Sequence, residues 1–485
     1  MPTVAIVGAG FGGLCMAIRL RAAGISSFTV YEKADRVGGT WRDNTYPGAG
    51  CDIPSHLYSY SFEKYHSWTR RYPDQAEILA YLEHCADKYD VRRNIRFNTE
   101  VIAARHAGGR WHVTTRHGDT ERTDAYDVMV MSVGQLNRPR LPDIPGIPDF
   151  AGTSFHSARW DHGHDLTGRD VAVIGTGSSA AQFIPHVAAL AARLDVFQRT
   201  PNWVIPKPDV TFAAPARLAL RHLPFLRRAY RGWIYRKAET ALYPALREDG
   251  WSAGQVRGLA LSHLARQVPD PALRAKLTPA HRIGCRRIVI DSAFYPALTR
   301  GNVEVVTDPI TCVTRHGVQT GQGPPRRHDT IIYATGFHAT DFLAPVRVTG
   351  RDGIALAERW RDGAEAYLGM ALPGFPNLFL LYGPNTNLGH NSIIFMIECQ
   401  VRYVLACLPY IRRHGHMELR REAMDAWRAR LDRALGEMVW QSGCQSWYRT
   451  ASGRVTNNWP GTASLYRRLT RAPRPGAYLF GPAQG

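Results

Sequence analysis

The chain has 485 residues, 45% of them hydrophobic and 21% charged, a balance that fits a globular protein with two or three cores and excludes disordered or fibrous classes. Its formal net charge of +19 is almost wholly arginine spread along the chain, with no basic tract and no nucleic-acid module beside it. No run of about 18 uninterrupted apolar residues predicts a spanning helix, and the eight cysteines show no C-x-x-C pair or His/Cys cluster that would imply zinc, a disulfide framework or a dithiol redox centre.

In chain order, Val4 to Val7 reads as a buried strand, Phe11 to Ala23 as the helix after it and Ser27 to Tyr31 as the next strand. The apolar strand begins too soon for a secretory leader, so a cytoplasmic location is expected. Gly8, Gly10 and Gly13 fill the turn between strand and helix, and Glu32 follows the second strand. This is the dinucleotide fingerprint: small residues admit a pyrophosphate against the helix N-terminus, and the carboxylate accepts from a ribose 2′-hydroxyl. Arg138 to Phe150, with Pro139, Pro142, Pro145, Gly146 and Pro148, is linker-like.

The same strand-helix-strand grammar returns at Val171 to Ile174, Ala180 to Leu190 and Leu194 to Gln198. Its turn holds Gly175, Gly177, Ser178 and Ala180, and Arg199 stands at the offset that Glu32 occupies in the first unit. A guanidinium there suits a 2′-phosphate, so the second nucleotide reads as NADP and the first as FAD or NAD. Two phosphate-bearing nucleotides also account for the positive charge better than a nucleic acid does.

From about Ala213 to Lys276 the pattern is helical, basic and apolar, interrupted at Pro224. It predicts a helical insert, read either as packing over the second domain or as an amphipathic membrane-surface segment. Strands resume at Asn302 to Val306 and Thr330 to Tyr333, the latter running through Ala334 and Gly336 to Phe337 as a crossing back to the first domain. Asn377 to Pro384 reads as a strand into a turn, Ile393 to Tyr410 as a long helix, and the remainder is rich in Trp, Tyr and Asn.

Two further segments carry a family resemblance. Phe150, Gly152, His156 and Trp160 followed by Asp161 match, at every fixed position, the F-x-G-x-x-x-H-x-x-x-W signature followed by Pro or Asp that marks type I Baeyer–Villiger monooxygenases. Gly38-Gly39-Thr40-Trp41, Tyr46-Pro47-Gly48 and Asp52 are similar to the longer motif of the same family, whose last Asp lies beside the flavin. The chain thus resembles, along essentially its whole length, the class B flavoprotein monooxygenases.

That resemblance implies an α/β fold of two Rossmann-like domains, one for FAD and one for NADP, with the helical insert in the NADP domain. The expected division is 1–146 for the first part of the FAD domain, 147–164 for the signature linker, 165–207 and 282–336 for the NADP domain, 208–281 for the insert and 337–485 for the rest of the FAD domain. It implies that NADPH reduces FAD, that reduced flavin adds dioxygen to form a C4a-peroxyflavin, and that a ketone is converted to an ester or lactone. S- or N-oxygenation of the flavin-containing monooxygenase type is the alternative. The family also needs an arginine over the flavin. Arg286-Arg287 looks like the segment that carries it, with Arg287 assigned to catalysis beside Asp52 and Arg286 to the 2′-phosphate with Arg199. The local sequence leaves the two exchangeable. Thr40, Trp41 and Thr200 are expected near the cofactors. Trp447 resembles a family tryptophan that contacts NADP, and is equally compatible with a core position. His156 and Trp160 are expected to couple the domains without touching substrate.

Overall fold

The structure is a computed structural model and describes residues 1–65, 67–441, 443 and 446–481. Short apolar runs rich in β-branched residues make strands buried on both faces, and β1 (Val4–Val7) is one, with all four residues buried. It leads through the glycine turn into α1 (Phe11–Ala22) and on to β2 (Phe28–Tyr31), β3 (Ile95–Arg96) and β4 (Val128–Met131). These strands form a parallel sheet in the order Leu378–Leu380, β4, β1, β2, β3. The strand at 378–380 therefore closes the first sheet after the chain has left it and returned. Against this sheet lies a four-stranded sheet of 100–107, 110–117, 120–126 and 347–349, which buries Trp111 completely.

The excursion between β4 and 378–380 builds a second parallel sheet. Its strands are β5 (Thr153–His156), β6 (Asp170–Ile174), β7 (Arg193–Phe197), β8 (Val303–Val306) and β9 (Thr330–Tyr333), in the order β8, β7, β6, β9, β5. α2 (Ser178–Leu190) follows β6 and buries Phe183, Ile184 and Val187 against it. The chain thus folds as two Rossmann-like units, the second inserted into the first. Between β7 and β8 runs the helical insert of α3 (Ala214–His222), α4 (Pro224–Lys237), a π turn at Ala238–Leu242, α5 (Ala253–Gln267) and a short helix at Pro271–Leu277. Pro224 separates α3 from α4 by opening the latter, where its missing N–H costs no helical bond.

Two strands of chain cross between the units, and they cross together. Arg140 N donates to Gly336 O and His338 N to Arg138 O, each at 2.9 Å, around a bridge between Pro139 and Phe337. α6 (Ile393–His414) is long and apolar enough to cross a bilayer by length and composition. It is instead packed on α1 and buries Met396, Val401, Tyr403, Val404 and Ile411 in the main core. Among the described residues Cys15, Cys51, Cys85, Cys312, Cys399 and Cys407 are free.

Candidate active site

The first glycine turn is built for a ligand. Gly8 has φ +98°, and a Cβ on it would sit 2.5 Å from the Ser132 carbonyl oxygen. A Cβ on Gly13 would lie 1.8 Å from Gly8 O, so only glycine lets α1 pack onto the turn. Gly10 faces room, its nearest neighbour across the gap being Gly39 Cα at 3.7 Å. No acidic residue stands in the first turn of α1, leaving its positive end for a phosphate. Beside it the buried Glu32 carboxylate accepts from Ala9 N at 2.8 Å, Ala34 N at 3.0 Å and Arg42 Nη1 at 3.0 Å. Thr40 opens a short helix after Gly39, and Trp41 Nε1 donates to Tyr58 Oη at 3.1 Å. Arg42, which orders Glu32, was not legible because the fingerprint fixes only the acid.

The second turn repeats the plan with opposite charge. Gly175 has φ +111° and its Cβ would meet Ala334 O at 2.5 Å, whereas a Cβ on Gly177 would meet nothing within 4 Å. Ser178 begins α2, whose first turn again lacks an acid. Past β7 lies an open cavity of about 570 Å³ lined by Arg199, Thr200, Lys276, His281 and Arg286 among others, with no carboxylate in its wall. Burial, and then the neighbouring Arg199 charge, push the Arg286 pKa down. Two unneutralised guanidiniums held this close fit a phosphate dianion. Lys276, whose ammonium donates to Val305 O at 3.1 Å, belongs to this cavity through the insert; nothing in the fingerprint pointed to it.

Arg287 faces the other way. Its Nε donates to Asp52 Oδ2 at 3.2 Å and its Nη2 makes a still closer bond to the same oxygen. The Asp52 charge raises the Arg287 pKa, outweighing the burial that opposes it, so the guanidinium is permanently charged. The pair joins residues 235 positions apart, one from the unit containing β1 and one from the unit containing β6. Tyr448 and Tyr382 also influence Arg287. Burial pushes the Tyr448 phenol up to about 12 against the pull of Arg287, which keeps its hydroxyl a donor. The geometry therefore separates the two adjacent arginines, Arg286 with Arg199 and Arg287 with Asp52. Trp447 lies on Tyr448, ring centroids 4.4 Å apart, and packs against the main core; it does not line the Arg199 cavity.

The signature segment works through packing. A Cβ on Gly152 would come within 2.6 Å of the Phe150 ring and 2.5 Å of Asp329 O, so Gly152 admits the ring that seats the linker. His156 ends β5, is buried, and accepts on Nδ1 from Ala158 N at 3.1 Å. Its ring stands 5.8 Å from Phe337 in the crossing strands. Burial lowers its pKa, more than the Gly336 backbone restores it. Trp160 packs at 5.2 Å on both Phe155 and Phe183, and Phe183 meets Tyr46 at 5.9 Å. Tyr46 Oη in turn donates to Gln182 Oε1 at 3.0 Å. A chain of rings thus runs from the linker through α2 to the loop that carries Asp52. Asp161 is exposed and accepts from Gly163 N at 3.0 Å, a local turn bond.

Among the described residues no cluster of His, Cys, Asp or Glu is arranged to hold a metal ion. The flavin-binding monooxygenase-like family model matches residues 2–230. The chain is 44% identical to a Baeyer–Villiger monooxygenase of Streptomyces coelicolor, over 96% of this chain and 90% of that protein. It is 43% identical to one of Pseudomonas aeruginosa, over 98% and 90%. Among solved structures it resembles an oxidized steroid monooxygenase bound to NADP, with TM-score 0.85, 33% identity and 97% of each chain covered. It also resembles a cyclohexanone monooxygenase from Rhodococcus sp. Phi1 bound to NADP⁺, with TM-score 0.88, 27% identity, and 99% of this chain and 100% of that one covered. Over nearly its full length, in sequence and in fold, the chain belongs to the Baeyer–Villiger monooxygenase family of flavoproteins.

Proposed function

We propose that this enzyme uses NADPH and dioxygen to insert one oxygen atom beside a ketone carbonyl, giving an ester or lactone, with the chemistry centred on the Asp52–Arg287 pair. The observation that carries the reading is this pair, formed across the two units and set between one nucleotide cradle ending in a carboxylate and another ending in guanidiniums. FAD in the first cradle supplies dioxygen activation and NADPH in the second supplies the electrons. The groove at Gly10 and the α1 N-terminus take the FAD pyrophosphate, Glu32 takes a ribose hydroxyl, and Thr40 and Trp41 border the same side. Gly177, Ser178 and the α2 N-terminus take the NADPH pyrophosphate, while Arg199, Arg286, Thr200 and Lys276 hold the 2′-phosphate.

Arg287 supplies a fixed positive charge where oxygen anions develop, and Asp52 holds that guanidinium in one orientation so that no reorganisation is needed during reaction. Tyr448 offers a neutral hydroxyl beside it. His156, Trp160 and Phe150 act at a distance, by fixing the crossing strands and the Tyr46–Asp52 loop. The test is turnover of a ketone panel under ¹⁸O₂: mass spectrometry should find one labelled ester per NADPH oxidised. NADPH oxidation that leaves every ketone intact but oxygenates sulfides or amines would assign the site to heteroatom oxidation.

A further inference from the structure

The helical insert presents an apolar surface that stays exposed among the described residues. On α4 the inward positions are Arg231 and Ile234: Ile234 is buried, and Arg231 Nη1 donates to His56 O at 2.5 Å and Ser59 O at 3.1 Å. Helical spacing then turns Phe225, Leu226, Gly232 and Trp233 outward, all exposed, with Phe225 at 62% and Trp233 at 54%. On α3, Leu218 is 60% exposed. Large side chains left this open along two consecutive helices are unusual for a surface with no partner.

Along the two helices themselves the charges are of one sign. From Val210 to Ala238 there is no Asp or Glu, and Arg217, Arg221, Arg228, Arg236 and Lys237 are exposed around the apolar residues. Lys237 Nζ lies 5.4 Å from the centre of the Trp233 ring, and Trp233 stacks on Tyr230. An apolar stripe with an aromatic ring, flanked on both sides by cations and free of acids, is the composition of a helix that lies in a bilayer interface. A second copy of this chain would bring the same cations face to face, so self-association is disfavoured by charge.

We infer that α3 and α4 dock the enzyme on an anionic lipid surface, with Leu218, Phe225 and Trp233 entering the acyl boundary and the flanking arginines meeting lipid phosphates. The inference does not rest on the identity of the substrate. It places the docked helix directly over the 56–59 loop, which follows Asp52 in the chain, so an enzyme working on a lipid-dissolved compound would have its site next to the membrane.

The test is co-sedimentation of FAD-loaded enzyme with vesicles. Wild type should pellet with phosphatidylcholine vesicles containing a quarter phosphatidylglycerol, stay in solution with phosphatidylcholine alone, and be released as salt rises. The triple variant L218S/F225S/W233S should bind anionic vesicles at least about tenfold more weakly, and R228E/R236E should lose binding while keeping the apolar face. Both should keep wild-type flavin content and NADPH oxidation. Equal vesicle binding by wild type and both variants, or none by wild type, would overturn the inference. So would a wild-type dimer in light scattering that the triple variant converts to monomer, since the patch would then be an interface between copies.

Discussion

Arg286 and Arg287 are neighbours with opposite surroundings, and that contrast decides what each can do. Arg286 shares a cavity with Arg199 and Lys276 and has no carboxylate there, whereas Arg287 is locked to Asp52. A cluster of unpaired cations binds phosphate; a paired guanidinium serves as a fixed, oriented charge. Arg199→Ala should therefore raise KM for NADPH by about tenfold to a hundredfold, the worth of a charge-assisted bond of about 1.5–3 kcal/mol, and leave KM for NADH nearly unchanged. An equal loss for both coenzymes in steady-state kinetics would give the phosphate to other residues. Lys276→Ala should show the same selectivity at smaller size. Glu32 and Arg199 could be read from sequence because the fingerprint sets their offset from the glycines. Lys276 and Arg42 could not, since each arrives by tertiary packing from a segment without its own motif. Tyr448 was hidden behind Trp447: both are aromatic and adjacent, and only burial separates the one that reaches Arg287 from the one that packs on it.

Among the elements, the helical insert departs most from what periodicity conveys. Its helices were legible, but the π turn at Ala238–Leu242 was not, and the turn carries the residue that fastens the insert to the first unit. Glu239 accepts from His390 Nε2, Asn391 Nδ2, Ala463 N and Ser464 N, all at 3.0 Å. It therefore both satisfies the start of α7 (Ala463–Leu469) and holds the 390–391 turn. Burial alone would raise its carboxyl pKa; the His390 bond and the backbone donors outweigh burial and bring it from 4.5 down to about 2. Glu239→Gln should cost about 1.5–3 kcal/mol in chemical denaturation at neutral pH. Because the folded pKa is depressed, wild type holds this advantage above about pH 4.5 and loses it as pH falls toward 2. Identical denaturation midpoints for the two proteins at pH 7 would remove Glu239 as the fastening.

Across the whole molecule, the site exists only where two separately coded units meet. Asp52 belongs to the unit built on β1, Arg287 to the unit built on β6, and the two chain crossings at 138–140 and 336–338 set how they approach. His156 touches those crossings through Phe337, and Trp160 reaches the Asp52 loop through Phe183 and Tyr46. His156→Ala should therefore keep flavin content but divert NADPH oxidation from ester toward hydrogen peroxide, measurable as a fall in product formed per NADPH; unchanged coupling would deny His156 that role. The two nucleotide units were legible because strand, glycine turn and helix are contiguous in each. The meeting of Asp52 with Arg287 was legible only through family resemblance, since no local pattern links residues so far apart. Stopped-flow spectroscopy of Arg287→Ala, paired with product analysis, tests this division of labour most directly. NADPH should reduce the bound flavin at close to the wild-type rate while ester formation from a ketone falls below detection. Normal ester formation in that variant, or its loss in Arg286→Ala with NADPH affinity intact, would contradict it.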